Sequence, residues 1–76
     1  MRLRNPNLKL KALRIEHEIK QSDLADMIGI GKTTYNRKEN GFNEFTENEI
    51  KIICEIFNKE PSEIFFNNKV TKRIKP

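Results

Sequence analysis

The chain has 76 residues, so we expect one small folded domain and no second unit that could sense a ligand. Its formal net charge of +4 is unevenly spread. Nine basic and no acidic side chains lie before Glu16 and after Asn68, whereas residues 16–68 contain six basic and eleven acidic ones. Basic ends suit a polyanion such as a nucleic acid, and solvated terminal charge is the alternative explanation.

The single cysteine, Cys54, excludes an internal disulfide, which fits a reducing compartment. No apolar run reaches the ~18 residues of a membrane span, and the first residues lack the apolar stretch of a signal peptide. The sequence therefore predicts a soluble cytoplasmic protein without membrane association.

The hydrophobic spacing predicts an all-α fold of five helices in residues 7–66, with a basic arm at 1–6 and a basic tail at 67–76. The predicted helices are about Pro6 or Asn7 to Glu18, Gln21–Ile28, Lys32–Glu39, Glu47–Phe57 and a short one from near Pro61 that carries Ile64 and Phe65. Short terminal strands fit only residues 2–4 and the alternating segment 70–74.

Cap and turn residues support these helix ends. Asn5–Pro6 predicts a cap followed by proline in the first helical position, and Gly29 predicts the end of the second helix. Asn40–Gly41 is a strong turn signal after the third helix. Thr46 and Glu49 have the spacing of a capping box at the start of the fourth helix.

The most informative segment is QSDLADMIGIGKTTYNRKENG, residues 21–41. Two helices that cross at ~90–120° through a short turn need a small residue where they touch, and Ala25 has that position. The turn needs a left-handed residue, and Gly29 follows four positions later. The side chains predicted to point inward are Leu24, Ile28, Ile30 and Tyr35.

Together with LKALR and FNKEPSEIFF, this segment makes the chain resemble the Cro/CI-type (XRE) helix-turn-helix family of phage and bacterial repressors. The resemblance runs from about Leu8 to Phe66, and the overall arrangement resembles phage-encoded versions from Gram-positive bacteria. It implies a five-helix lambda-repressor-like domain whose third helix lies in the DNA major groove.

The resemblance also implies roles for single residues. Those matched to base contacts are Lys32, Thr33 and Arg37. Those matched to the DNA backbone or flanking contacts are Gln21, Gly31, Thr34, Asn36 and Asn40. Arg14 and Glu39 match a buried ion pair that ties the first helix to the end of the third.

The sequence departs from the family at several positions. Lys38 stands where relatives are apolar, and we expect its stem to cover the core while its amine reaches solvent or phosphate. Phe42 or Phe45 then fills the remaining volume. Glu44 and Glu47 follow the turn where some relatives are basic, so we hypothesise that the basic termini compensate.

Catalysis and metal binding have no support in the sequence. His17 has no second histidine to share a metal, and no carboxylate pair is joined by a nucleophile or base, so we predict no enzyme activity and no cofactor. Cys54 is expected to be a small buried hydrophobe. Four apolar residues late in the chain are partly more than a small core needs, and they predict either a homodimer interface or ordinary core packing. They are Ile56, Phe57, Phe65 and Phe66.

These observations predict a sequence-specific regulator of transcription that binds double-stranded DNA, a repressor or Cro-like switch protein. A homodimer would read a palindromic operator. The alternative is a protein-interaction module of the same fold, such as an antitoxin. No small-molecule substrate is predicted.

Overall fold

A computed structural model describes residues 6–65, which fold into five α-helices without a strand among them. The helices are α1 (Leu8–Glu16), α2 (Gln21–Ile28), α3 (Lys32–Glu39), α4 (Glu47–Phe57) and α5 (Pro61–Ile64). This confirms the predicted all-α fold of five helices. The predicted terminal strands at 2–4 and 70–74, and most of both basic ends, lie outside the described residues.

The start of α1 differs from the prediction. Asn7 is the residue that caps the helix, because its side-chain oxygen accepts a hydrogen bond from the Leu10 amide at 3.0 Å. Pro6 therefore precedes the cap, and the prediction that it occupies the first helical position is wrong. The amide of Asn7 also donates to the carbonyl of Glu39 at 2.8 Å, which fixes the start of α1 against the end of α3.

The end of α1 is also two residues earlier than predicted. The helix ends at Glu16 because Glu18 adopts a left-handed conformation, with φ 57°. The amide of Ile19 then reaches back to the carbonyl of Arg14 at 2.9 Å, which is the hydrogen bond of a Schellman motif. The sequence does not predict this helix end, because the residue at the left-handed position is glutamate and not glycine.

The turn between α2 and α3 is built on Gly29, as predicted. Gly29 has φ 94°, and its amide donates to the carbonyl of Ala25 at 2.8 Å. The amide of Ile30 donates to the same carbonyl at 3.0 Å. Ala25 is buried in the same core as Leu24 and Ile28.

At α4 the predicted capping box is present. The Thr46 hydroxyl accepts from the Glu49 amide at 3.1 Å, and the Glu49 carboxylate accepts from the Thr46 amide at 3.0 Å. The helix ends at Phe57, the next residue, Asn58, adopts a left-handed conformation, and Pro61 then begins α5.

All five helices contribute to one hydrophobic core. Its buried apolar members are Leu10, Leu24, Ala25, Ile28, Tyr35, Ile53, Cys54, Phe57 and Ile64. The inward orientation predicted for Leu24, Ile28 and Tyr35 is therefore confirmed, and Ile30 packs against the core while partly buried. Phe57 belongs to this core, whereas Ile56 and Phe65 are half-buried at its edge.

Candidate nucleic-acid interface

Helix α3 has one face in the protein and one face in solvent. Tyr35 and Glu39 are almost fully buried, at 0% and 1% exposure. The outward face consists of five exposed residues, Lys32, Thr33, Thr34, Asn36 and Arg37. Residues four apart on a helix are neighbours, so Thr33 and Arg37 form one row and Lys32 and Asn36 form a second.

The carboxylate of Glu39 holds α3 to its surroundings. Arg14 donates to it through Nε at 2.9 Å and Nη2 at 3.3 Å, as the resemblance implied. The Tyr35 hydroxyl donates at 2.7 Å and the Gln21 side-chain amide at 2.8 Å. One buried carboxylate thus joins α1, α2 and α3.

The hydrogen bonds keep this buried group ionised. Burial by itself raises the pKa of Glu39, but the donors on Arg14, Tyr35 and Gln21 outweigh burial, and the pKa lies below its ordinary value. The hydrogen bond to Glu39 raises the pKa of Arg14. Burial and the neighbouring carboxylate raise the pKa of Tyr35, so its hydroxyl remains a donor.

A second ion pair anchors α3 to α4, and the sequence did not predict it. Lys38 Nζ lies 2.6 Å from Glu49 Oε1, and both side chains are only 11% exposed. The same ammonium lies 6.0 Å from the ring centroid of Phe45. The prediction that the Lys38 amine reaches solvent or phosphate is therefore wrong, since the amine pairs with the carboxylate of Glu49, a residue of the capping box.

The aromatic residues after the turn have different roles. Phe45 packs on the core, with its ring centroid 5.9 Å from that of Tyr35 and 5.5 Å from that of Phe65. Phe45 is therefore the residue that fills the volume beside Lys38. Phe42 is 46% exposed, and its ring centroid lies 5.0 Å from the guanidinium carbon of Arg37.

Arg37 is oriented by the loop that follows α3. Its Nε donates to the side-chain oxygen of Asn43 at 3.2 Å, in addition to the contact with Phe42. Gly41, with φ 88°, turns the chain back, and the Phe42 amide donates to the Arg37 carbonyl at 2.9 Å. The Asn40–Gly41 signal predicted this turn, but nothing in the sequence showed that the turn would engage Arg37.

The residues matched to DNA-backbone or flanking contacts lie on and around α3. Gln21 and Asn36 lie together, and the Asn36 side chain donates to the Gln21 side-chain oxygen at 3.1 Å. Gly31, the residue before α3, is exposed, and Thr34 is exposed on the helix itself. Asn40 is half-buried, and its side chain donates to the Asn36 carbonyl at 3.0 Å.

Within residues 6–65, no group of three or more His, Cys, Asp or Glu side chains could hold a metal ion. His17 is exposed at the end of α1, with its ring centroid 5.1 Å from that of Phe57. Cys54 is buried as predicted, and this burial raises the pKa of its thiol. Between residues 6 and 65, no helix has the length and apolar character needed to cross a bilayer.

Comparison with known proteins places the chain among helix-turn-helix proteins. The helix-turn-helix family model matches residues 10–64. Antitoxin PezA of Streptococcus pneumoniae serotype 4 is 33% identical over 61 residues, which cover 80% of this chain and 39% of PezA. The chain thus spans about two fifths of the length of that relative.

A solved structure shares the fold. The SOS-response transcriptional repressor LexA from Eubacterium rectale aligns with a TM-score of 0.74 at 20% sequence identity. The alignment covers 92% of this chain and 74% of that structure. At this identity the similarity shows the common architecture of the helices.

Proposed function

Because this chain belongs to the XRE-type helix-turn-helix family, as its sequence predicts, we propose that it regulates transcription by binding a specific double-stranded DNA sequence. The observation that carries this proposal is the two-sided character of α3. Its inner face is fixed by Tyr35 and Glu39, and its outer face presents five exposed polar side chains. The major groove, ~12 Å wide, accommodates such a helix.

Base recognition belongs to Lys32, Thr33 and Arg37 in this proposal. Thr33 and Arg37 lie in the central row of the exposed face, and Lys32 lies in the first turn, where recognition helices meet base edges. The nitrogen Nε of Arg37 is engaged by Asn43, so the two terminal nitrogens remain to donate to O6 and N7 of guanine. The methyl group of Thr33 suits contact with thymine.

Contacts to the DNA backbone belong to residues at the edge of this face. Gln21 begins α2, and no side chain caps that helix, so its first amides can bind a phosphate oxygen. Gly31 precedes α3 and leaves its backbone accessible. Thr34, Asn36 and Asn40 complete this set on the flanks and at the end of α3.

The test replaces Lys32 or Arg37 with alanine and measures binding to a selected DNA site and to all its single-base variants. Each change should remove preference at one base-pair position, by about 1–3 kcal/mol. Lys51→Ala is the control, because it removes the same charge from an exposed position on α4. Equal weakening of all sequences by Lys32→Ala and Arg37→Ala would contradict the proposed base contacts.

The proposed regulator is a non-enzymatic cytoplasmic repressor or Cro-like switch protein that acts as a homodimer on a palindromic operator. Two copies would place their α3 helices about 34 Å apart, one helical turn of DNA. The half-buried apolar residues Ile56 and Phe65 support a contact between copies, whereas Phe57 is used by the core. Binding of two chains per operator in sedimentation measurements is the expected result, and one chain per full operator would exclude the dimer.

An antitoxin is the second candidate, because the chain is 33% identical to a protein named Antitoxin PezA. In that case the chain binds a toxin protein and DNA binding is secondary. Co-expression with the product of the adjacent gene separates the candidates. A stable complex that relieves toxicity supports the antitoxin, and normal growth with no complex supports the regulator alone.

A further inference from the structure

The Gln21 side chain connects a buried charge to the exposed face of α3. Its nitrogen donates to Glu39 Oε1 at 2.8 Å, and its oxygen accepts from Asn36 Nδ2 at 3.1 Å. Glu39 is 1% exposed, whereas Asn36 is exposed in the row that also contains Lys32. We call the three side chains Glu39, Gln21 and Asn36 the amide relay.

The chemistry of the relay allows only one orientation of each amide. An ionised carboxylate accepts hydrogen bonds and donates none, so the group that Gln21 turns toward Glu39 must be its nitrogen. The Gln21 oxygen then faces Asn36 and requires a donor, which only the Asn36 nitrogen supplies. Arg14 and Tyr35 also donate to Glu39 and keep it ionised, so the anchor of the relay is itself fixed.

We propose that Asn36 reads a base in the major groove, with its side-chain oxygen held outward as an acceptor by the amide relay. This inference rests on the proposed function and assigns Asn36 a role beyond contact with the DNA backbone. Because an amide is planar, its oxygen lies on the arm opposite the nitrogen that binds Gln21. The oxygen is thus directed away from α2, and the second N–H of Asn36 remains available beside it.

This arrangement determines which bases fit. In the major groove adenine presents the donor N6–H₂ beside the acceptor N7, and cytosine presents the donor N4–H₂. Guanine and thymine present the acceptors O6 and O4, which face the Asn36 oxygen without a hydrogen bond. The base opposite Asn36 is therefore adenine, which satisfies both groups of the amide, with cytosine second. Guanine and thymine are disfavoured, because they leave the Asn36 oxygen without a donor.

The experiment measures affinity for operators that carry each base at every position, with the wild type, Asn36→Ala and Gln21→Met. The wild type should prefer adenine over guanine at one position by about tenfold, and Asn36→Ala should abolish that preference. Gln21→Met retains Asn36 but removes the acceptor that orients the Asn36 amide. The amide can then turn, so affinity for operators with guanine at the same position should rise toward that for adenine. Asn48→Ala is the matched control, because it removes an exposed amide on α4, outside the relay, and should leave the base profile unchanged.

Thermal unfolding of each variant verifies that it is folded before binding is measured. A base profile that is unchanged in both Asn36→Ala and Gln21→Met, or affinity that falls equally for all bases, would overturn the inference and leave the proposed function intact. A wild-type protein without any sequence preference would overturn both. A change confined to one position in both variants supports the relay.

Discussion

Two consecutive residues, Lys38 and Glu39, attach the end of α3 to two different helices. Lys38 pairs with Glu49 on α4, and Glu39 pairs with Arg14 on α1. Both pairs are largely shielded from water, so each charge depends on its partner for compensation. The orientation of the exposed face of α3 therefore depends on the ion pairs of Lys38 and Glu39, which do not lie on that face.

Glu49 and Lys38 should show strong energetic coupling. Glu49→Gln leaves a shielded ammonium without its carboxylate, and we expect it to lower the free energy of unfolding by about 3 kcal/mol. Lys38→Met replaces the ammonium with an apolar end on an unbranched stem, and the double variant should recover part of that stability. Urea denaturation of all four proteins gives the coupling energy, expected at about 1–3 kcal/mol. Simple additivity of the two changes would show that the pair contributes nothing specific.

Acid should destabilise the protein through the same carboxylates. Burial alone raises the pKa of Glu49, but the Lys38 ammonium and the Thr46 amide outweigh it, so the pKa of Glu49 is lowered, as that of Glu39 is. The unfolded chain then binds more protons than the folded one as the pH falls through about 4.5, and stability present above that pH is lost. Urea midpoints measured from pH 7 to pH 3 should fall in this range, less steeply in Glu49→Gln. Identical pH profiles would contradict the lowered pKa.

The difference between what the sequence predicted and what it missed follows from the range of the interactions. Ala25, Gly29 and the capping box of Thr46 act within one or two turns of helix, and their spacing in the sequence was sufficient to predict them. Lys38–Glu49 and the relay through Gln21 join residues 11 to 18 positions apart. No local pattern specifies such partners, because they meet only after the helices have packed.

At the scale of elements, the angle between α2 and α3 depends on the backbone of Gly29. Gly29 and Gly31 both have open space where a Cβ atom would lie, but only Gly29 has a positive φ, at 94°. Gly31 lies at φ −75°, which any residue adopts. Because neither position is crowded, a comparison of substitutions at the two glycines isolates the effect of backbone conformation.

Gly29→Ala should lower the free energy of unfolding by about 1–2 kcal/mol, because an L-residue is strained in the left-handed region. Gly31→Ala is the matched control and should cost less than Gly29→Ala. Its φ of −75° suits alanine, and only the weaker preference of the N-cap position for glycine opposes the change. Thermal and urea denaturation measure both. Equal destabilisation of the two variants would show that the left-handed turn is not the element that fixes the helices.

In the sequence as a whole, the excess of positive charge lies toward the two ends and outside the segment that contains the candidate DNA-binding surface. The interior segment 16–68 has eleven acidic and six basic side chains, yet it contains α3 with Lys32 and Arg37. Acidic Glu44 and Glu47 lie in the loop and the helix that follow α3, and both are exposed. Attraction to a phosphate backbone must therefore draw on charges outside this segment. The basic residues toward the two ends are the available source, apart from Arg14, which is buried and paired with Glu39.

We predict that the basic tail binds DNA phosphates. Replacement of Lys69, Lys72, Arg73 and Lys75 with glutamine keeps the chain length and removes four charges. Affinity for the operator should fall, and the slope of log affinity against log salt should decrease by about 0.9 for every phosphate that is no longer neutralised. Base preference should be unchanged, because Lys32, Thr33 and Arg37 are retained. Since long-range attraction acts on all sequences alike, an unchanged slope would mean that the tail charges are simply solvated and that phosphate attraction comes from the rest of the chain.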